Sequence, residues 1–132
     1  MSYFLDTNIC IYYLKGTFPA LKNKMLSHNP AIIRIPALVK AELLYGARKS
    51  IREEENMEKI TRFLFPFAIA PFDDKAAEAY AELRRQLEQE GSPVGPNDMV
   101  IAAIVLANNG TLVTHNTREF SRIKNLPLED WT

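Results

Sequence analysis

One cysteine, two histidines and no excess of charge bound what this chain of 132 residues can do. Cys10, the single thiol, excludes an internal disulfide and any cysteine-based zinc cluster. Its place in an apolar segment marks it as a small core residue of a protein kept reduced. His28 and His115 stand far apart in sequence, and each reads as a surface residue rather than a metal ligand. Sixteen basic and sixteen acidic residues cancel, so the overall field offers no long-range attraction to a polyanion. No stretch approaches the roughly 20 apolar residues that span a bilayer, and the amino terminus carries neither a basic leader nor a long apolar run. A soluble, unprocessed, cytoplasmic protein is the expectation. Internal repeats and low-complexity segments are absent.

What is present suits one domain over residues 1–132, because 47% apolar residues in a chain of this length can bury a full core. The spacing predicts a short strand over 3–5, a helix over 7–14 ending near Gly16, and a helix from Pro19 to about Ser27. A strand over 31–35 follows, then a helix over 37–49 whose buried stripe is read as Leu38, Ala41 and Tyr45. Next come a helix over 52–64 with Met57, Ile60 and Leu64 on one face, a strand over 67–70, and a long helix over 73–90. That long helix keeps Ala76, Tyr80, Leu83 and Leu87 on its stripe and is closed by Gly91. Pro93, Gly95 and Pro96 stiffen a loop that presents Asn97 and Asp98. Asp98 opens a wholly apolar helix to Ala107. A strand over 111–114, a helical turn over 119–123 and a small edge strand before Trp131 complete the chain. Alternating strands and helices predict an α/β fold with a parallel sheet of four to five short strands flanked by helices on both faces.

Three carboxylates fall where such a fold normally places apolar or capping residues. Asp6 ends the first strand, Glu42 is read on the buried stripe of its helix, and Asp98 lies at the start of the apolar helix. In an α/β sheet the ligand site lies beyond the carboxyl ends of the strands, which suits Asp6 and the residues Thr114 to Asn116. Taken singly, Asp6 and Asp98 are also good N-caps, and Glu42 could pair with Lys40 or Arg34. Converged, they form a pocket of negative charge that needs a cation. Oxygen donors without imidazole or thiolate favour Mg2+ or Mn2+ over zinc.

The blocks Leu5-Asp6-Thr7-Asn8, Ala41 to Ala47, Pro93 to Asp98 and Val113 to Phe120 resemble the signature blocks of PIN-domain ribonucleases, specifically VapC toxins of bacterial toxin–antitoxin pairs. They occur in the family's order and cover the chain from end to end. The resemblance implies a magnesium-dependent endoribonuclease, held inactive by a VapB-type antitoxin and forming a homodimer within that complex. It implies catalytic roles for Asp6, Glu42 and Asp98, with Asp6 and Asp98 as metal ligands. It also implies cleavage of structured RNA such as transfer RNA, leaving 5′-phosphate and 3′-hydroxyl ends. Many relatives carry a fourth acid where this chain has Asn116. Glu119 is the candidate to replace it, although capping or a salt bridge to Arg122 is an equal alternative. Thr7, Asn8 and Thr114 are either donors that orient the carboxylates or simple cap and strand-end groups.

Arg118, Arg122 and Lys124 form a basic group fit for phosphate contacts, with Lys15 and Lys40 as further candidates. Tyr13 or Tyr45 could stack a base if exposed. The acidic group Glu53, Glu54, Glu55 and Glu58 reads as a solvated face. Large apolar residues near Phe18, Leu21 and Met25, and from Phe63 to Phe67, either pack the core or receive a partner. Three other functions fit less well. A phosphatase of the haloacid-dehalogenase type needs an acid where Asn8 stands, and a response-regulator receiver needs one near Ile35 or Ala70. A catalytically silent RNA-binding module has only the uncharged Asn116 in its favour.

Overall fold

The computed structural model describes residues 1–132. Strands β1 (Tyr3–Leu5), β2 (Ile33–Pro36), β3 (Ala68–Ala70), β4 (Thr111–Val113) and β5 (Leu128–Glu129) form one sheet in the order β3-β2-β1-β4-β5. Every neighbouring pair is parallel. The helices are α1 (Thr7–Lys15), α2 (Pro19–Leu26), α3 (Ala37–Arg48), α4 (Glu53–Leu64), α5 (Asp74–Glu90), α6 (Pro96–Ala107) and α7 (Thr117–Phe120). Tyr3, Phe4 and Leu5 are successive strand residues that point to opposite faces, and all three are buried. The central strand is therefore covered on both sides, as a parallel sheet requires. Thirty buried side chains form one core cluster. No helix is long and apolar enough to cross a membrane.

The chain steps outward from β1 to β2 to β3, then returns to place β4 on the other side of β1. Strand order thus reverses between β1 and β4, and the crevice at their carboxyl ends is the place where such sheets bind ligands. Asp6 follows β1 directly, and Thr114 follows β4.

Local chemistry explains most boundaries. Gly16 and Gly91 end α1 and α5 in left-handed conformations, at φ 68° and 63°. Asp73 caps α5 by accepting from the Ala76 N–H at 3.0 Å. Three expectations are corrected. Ala31 and Ile32 belong to a 3-10 turn rather than to β2, because Pro30 starts the turn and the Asn29 side chain accepts from the Ala31 N–H at 2.9 Å. In α3 the buried row is Val39, Leu43 and Ala47, not Leu38, Ala41 and Tyr45. Several apolar rows compete on this helix, and packing on the sheet selects the i, i+4, i+8 row. Tyr45 is left 65% exposed, with Lys49 Nζ 5.0 Å from its ring centroid. His28 does not sit on open surface either. It stacks on Trp131 at 4.9 Å and packs against Tyr3 at 4.9 Å.

The β1–β4 pairing depends on Gly110. A Cβ there would lie 2.2 Å from Cε1 of Phe4, whose side chain is fully buried. Gly110→Ala is expected to destabilise the fold by about 1–3 kcal/mol through this overlap. Urea denaturation reads the change, and an unchanged midpoint would show that the Phe4 ring is free to yield.

Candidate active site

Asp6 is 6% exposed and serves two purposes. Its Oδ1 accepts from the Ile9 N–H at 2.8 Å, so the capping reading is correct. Its Oδ2 accepts from the Thr114 hydroxyl at 2.6 Å, a bond that crosses the switch point from β4 to β1. Thr114 is fully buried, and its Oγ1 also accepts from the Asn116 N–H at 2.9 Å. One threonine thereby fixes both the aspartate and the chain leaving β4.

Glu42 lies at the rim of the α3 stripe, half-buried. Thr7 Oγ1 donates to its Oε1 at 2.6 Å, and Asn97 Nδ2 donates to its Oε2 at 3.3 Å. The glutamate is thus held between α1 and α6. Neither basic partner considered from sequence reaches it. Arg34 donates to Asn108 Oδ1 at 3.0 Å and lies over the Phe4 ring, while Lys40 is exposed.

Asp98 does not open or cap its helix. Pro96 takes the first helical position and Gly95 the cap, which puts Asp98 inside the first turn. Glu119, on α7, reaches the same loop. Its Oε1 accepts from the Gly95 N–H at 2.8 Å, and its Oε2 accepts from Asn116 Nδ2 at 2.7 Å. The uncharged Asn116 is therefore the donor that holds Glu119. A salt bridge from Glu119 to Arg122 is not formed. Arg122 Nη1 instead donates to the Pro93 carbonyl at 2.5 Å and braces the same loop.

Asp98 and Asp6 both feel burial and neighbouring negative charge. Burial pushes the Asp98 carboxyl up to about 6, with further elevation from Glu119, Asp6 and Glu42. Burial also raises the Asp6 carboxyl, against the hydrogen bonds from Thr114 and Ile9, and the charges of Asp130 and Glu42 add to the rise. None of the ion pairs of the protein involves Asp6, Glu42, Asp98 or Glu119. No three His, Cys, Asp or Glu side chains close into a complete ligand set in this conformation. Asp98 and Glu119 do meet, since a hydrogen bond between their carboxyls adds to the rise at Asp98. Carboxylate oxygens with Thr and Asn donors behind them are nevertheless the chemistry that a hard divalent cation requires.

The other candidates divide. Asn8 is exposed and Thr7 acts through Glu42. Arg118 and Lys15 are exposed with no side-chain partner. Lys124 Nζ pairs with Glu90 at 2.9 Å. Tyr13 packs against Phe63 at 5.5 Å between ring centroids, on the α4 side of α1. Sequence reasoning missed Asn97 and Asp130 at the site, although Asn97 adjoins Asp98 in the stiff loop.

A model of the family described as PIN domain matches residues 3–126. The chain is 44% identical over 133 residues to the ribonuclease VapC2 of Rickettsia felis, covering 99% of this chain and 98% of the relative. It is 36% identical to the tRNA(fMet)-specific endonuclease VapC of Shigella flexneri, over 100% and 99% of the two chains. The crystal structure of VapBC2 from Rickettsia felis, bound to a promoter DNA fragment, contains a chain of the same fold. It superposes with a TM-score of 0.91 at 43% identity over 100% of both chains. The fold and the acidic switch point thus define a PIN domain, and the chain belongs to this family, among its VapC ribonucleases.

The raised Asp98 carboxyl has a cost for stability with a definite sign. Below about pH 4 the folded and unfolded chains are both protonated there and the cost vanishes. Between pH 4 and 6 the folded chain alone keeps the proton, so stability falls as pH rises, and above about 6 the loss is complete. Asp98→Asn is expected to raise Tm at pH 7.5 by about 3 °C, equivalent to ~1 kcal/mol after allowance for solvent screening. At pH 4 the difference should disappear. Thermal melts at the two pH values check both halves of this expectation.

Proposed function

We propose that the protein is a Mg2+-dependent toxin endoribonuclease that hydrolyses phosphodiester bonds of structured RNA such as transfer RNA, and that a VapB-type antitoxin neutralises it. The observation that carries the reading is the set of four acids sharing one field at the β1–β4 switch point without a basic partner. PIN-domain ribonucleases are in general dependent on a divalent metal. The names of the relatives, ribonuclease and tRNA(fMet)-specific endonuclease, support the substrate class.

In this reading Asp6 and Asp98 hold the cation, and Glu119 takes the place of the acid absent at Asn116. The bound cation supplies Lewis-acid polarisation of the phosphoryl oxygen and charge stabilisation. Thr114 and the Ile9 N–H fix the orientation of Asp6, as Thr7 and Asn97 fix Glu42. Glu42, held on both oxygens, orients the attacking water and accepts its proton. Attack by water leaves the 2′-hydroxyl out of the reaction and gives 5′-phosphate and 3′-hydroxyl ends. Arg118 and Lys15 are free for phosphates, and the reaction takes place in the cytoplasm.

For the antitoxin and a second copy of the chain, the support is an apolar surface that reaches Glu42 at one edge. Two adjoining hollows of about 570 and 270 Å3 share Leu14 and Lys59 and run between α1, α2, α3 and α4. Leu26, 68% exposed, and Leu14, 39% exposed, line this surface and suit an amphipathic segment. Such a partner covers side chains that water otherwise meets.

Antitoxin-free protein, incubated with total RNA and Mg2+, is expected to cut transfer RNA at an exposed loop and to lose all cleavage in excess EDTA. Glu42→Gln should lower kcat by about 100-fold or more. Glu119→Gln should lower activity by about tenfold, the usual penalty for weakening a metal's supporting group. Folded protein that cuts no RNA with Mg2+ or Mn2+ would overturn the enzymatic reading in favour of a silent RNA-binding module.

A further inference from the structure

Three aromatic rings outside the core meet beside the acidic crevice. Tyr12 of α1 and Phe18, the residue before α2, meet edge to face at 5.1 Å between centroids. The ring of His115 lies 5.3 Å from Phe18 and 6.1 Å from Tyr12. Tyr12 and Phe18 are half-buried, and the His115 side chain is 49% exposed. An exposed histidine normally samples several rotamers, but this one is tethered. Its Nδ1 is 3.0 Å from Asp130 Oδ2 and 3.0 Å from the Thr132 hydroxyl. The tether is itself anchored, since Trp131 between those residues is buried and the Thr114 N–H donates to the Glu129 carbonyl at 3.0 Å.

The shelf adjoins the crevice by covalent and electrostatic continuity. His115 follows Thr114, whose hydroxyl holds Asp6, and the charge of Asp130 is felt at Asp6. Tyr12 lies five residues along α1 from Thr7, roughly 7.5 Å of rise and about 140° around the helix, so it is His115, next to Thr114, that ties the shelf to the crevice. We propose that Tyr12, Phe18 and His115 form a preset shelf on which an unpaired nucleobase next to the cleaved bond stacks. The shelf's rim favours this occupant. Asp130 and Thr132 flank the His115 ring and the next residue, Asn116, is exposed, so an apolar helix laid there would desolvate them without return. A base presents a π face to the rings and polar edges to that rim. Because the His115 ring is already held, little side-chain entropy is lost when the base arrives. The inference rests on the ribonuclease reading for its substrate class.

The test is a binding scan with single-stranded RNA from which each base is removed in turn. Ca2+ replaces Mg2+ to neutralise the acids, and cleavage with Mg2+ is scored separately. One or two adjacent abasic positions next to the mapped cut should weaken Kd by about tenfold. His115→Ala should weaken intact RNA by a similar factor and abolish the effect of those positions, while His115→Phe restores the stacking. A flat scan with wild-type protein overturns the proposal without any variant. So does an undiminished abasic effect in His115→Ala. RNA binding left intact in His115→Ala, with loss of neutralisation by the antitoxin, would assign the rings to a protein partner instead. Wild-type protein that cleaves no RNA would count against the enzymatic reading, and the shelf is then judged by whether any one or two adjacent abasic positions lose binding that His115→Ala also removes.

Discussion

Asp6 accepts two hydrogen bonds, one from a backbone N–H and one from a buried threonine, yet its carboxyl still lies above the usual carboxylate range. Two good donors do not offset burial together with the nearby charges of Asp130 and Glu42. The same repulsion reaches Asp98, where the charges of Glu119, Asp6 and Glu42 add to the effect of burial. Much of the local architecture can be understood as the means of keeping this charge in place. Pro96 sets the angle of the helix bearing Asp98, Arg122 braces the Pro93 carbonyl before it, and Asn116 and the Gly95 N–H hold Glu119 across from it.

The sheet makes that arrangement possible. Strand order reverses between β1 and β4, and the ends of these two adjacent strands deliver Asp6 and Thr114 to the switch point. Helices then bring Glu42 and Asp98 from elsewhere in the sequence, each half-buried at the rim of a buried face. A site that destabilises its own fold in this way is a common feature of enzymes, where charge needed for function is retained against stability.

The legible parts were those governed by local rules. Glycine stops, the proline-stiffened loop and alternating elements placed all five strands and seven helices to within a few residues, and Asp6 at a strand end was readable from position alone. The buried face of α3 was not, since its rows of apolar residues are nearly equivalent until the sheet chooses among them. Glu42 stood out as an acid on a helix stripe, but the stripe was read one row off, and pattern alone did not place it beside Asp6 and Asp98. The exchange of roles between Asn116 and Glu119 depends on a short helix folding back onto the Gly95 loop, a contact with no signature in either segment. His28, stacked on Trp131, likewise required the far end of the chain to be in place.

The central claim is that this acidic crevice is a cation site whose charge is only partly released from protons near pH 6. Calorimetric titration of antitoxin-free protein with Mn2+, in buffers of different ionisation enthalpy, counts protons released on binding. The account predicts a fraction of a proton released near pH 6, chiefly from Asp98, fading toward pH 8. Binding with no proton release at pH 6, or no binding at either pH, would contradict it.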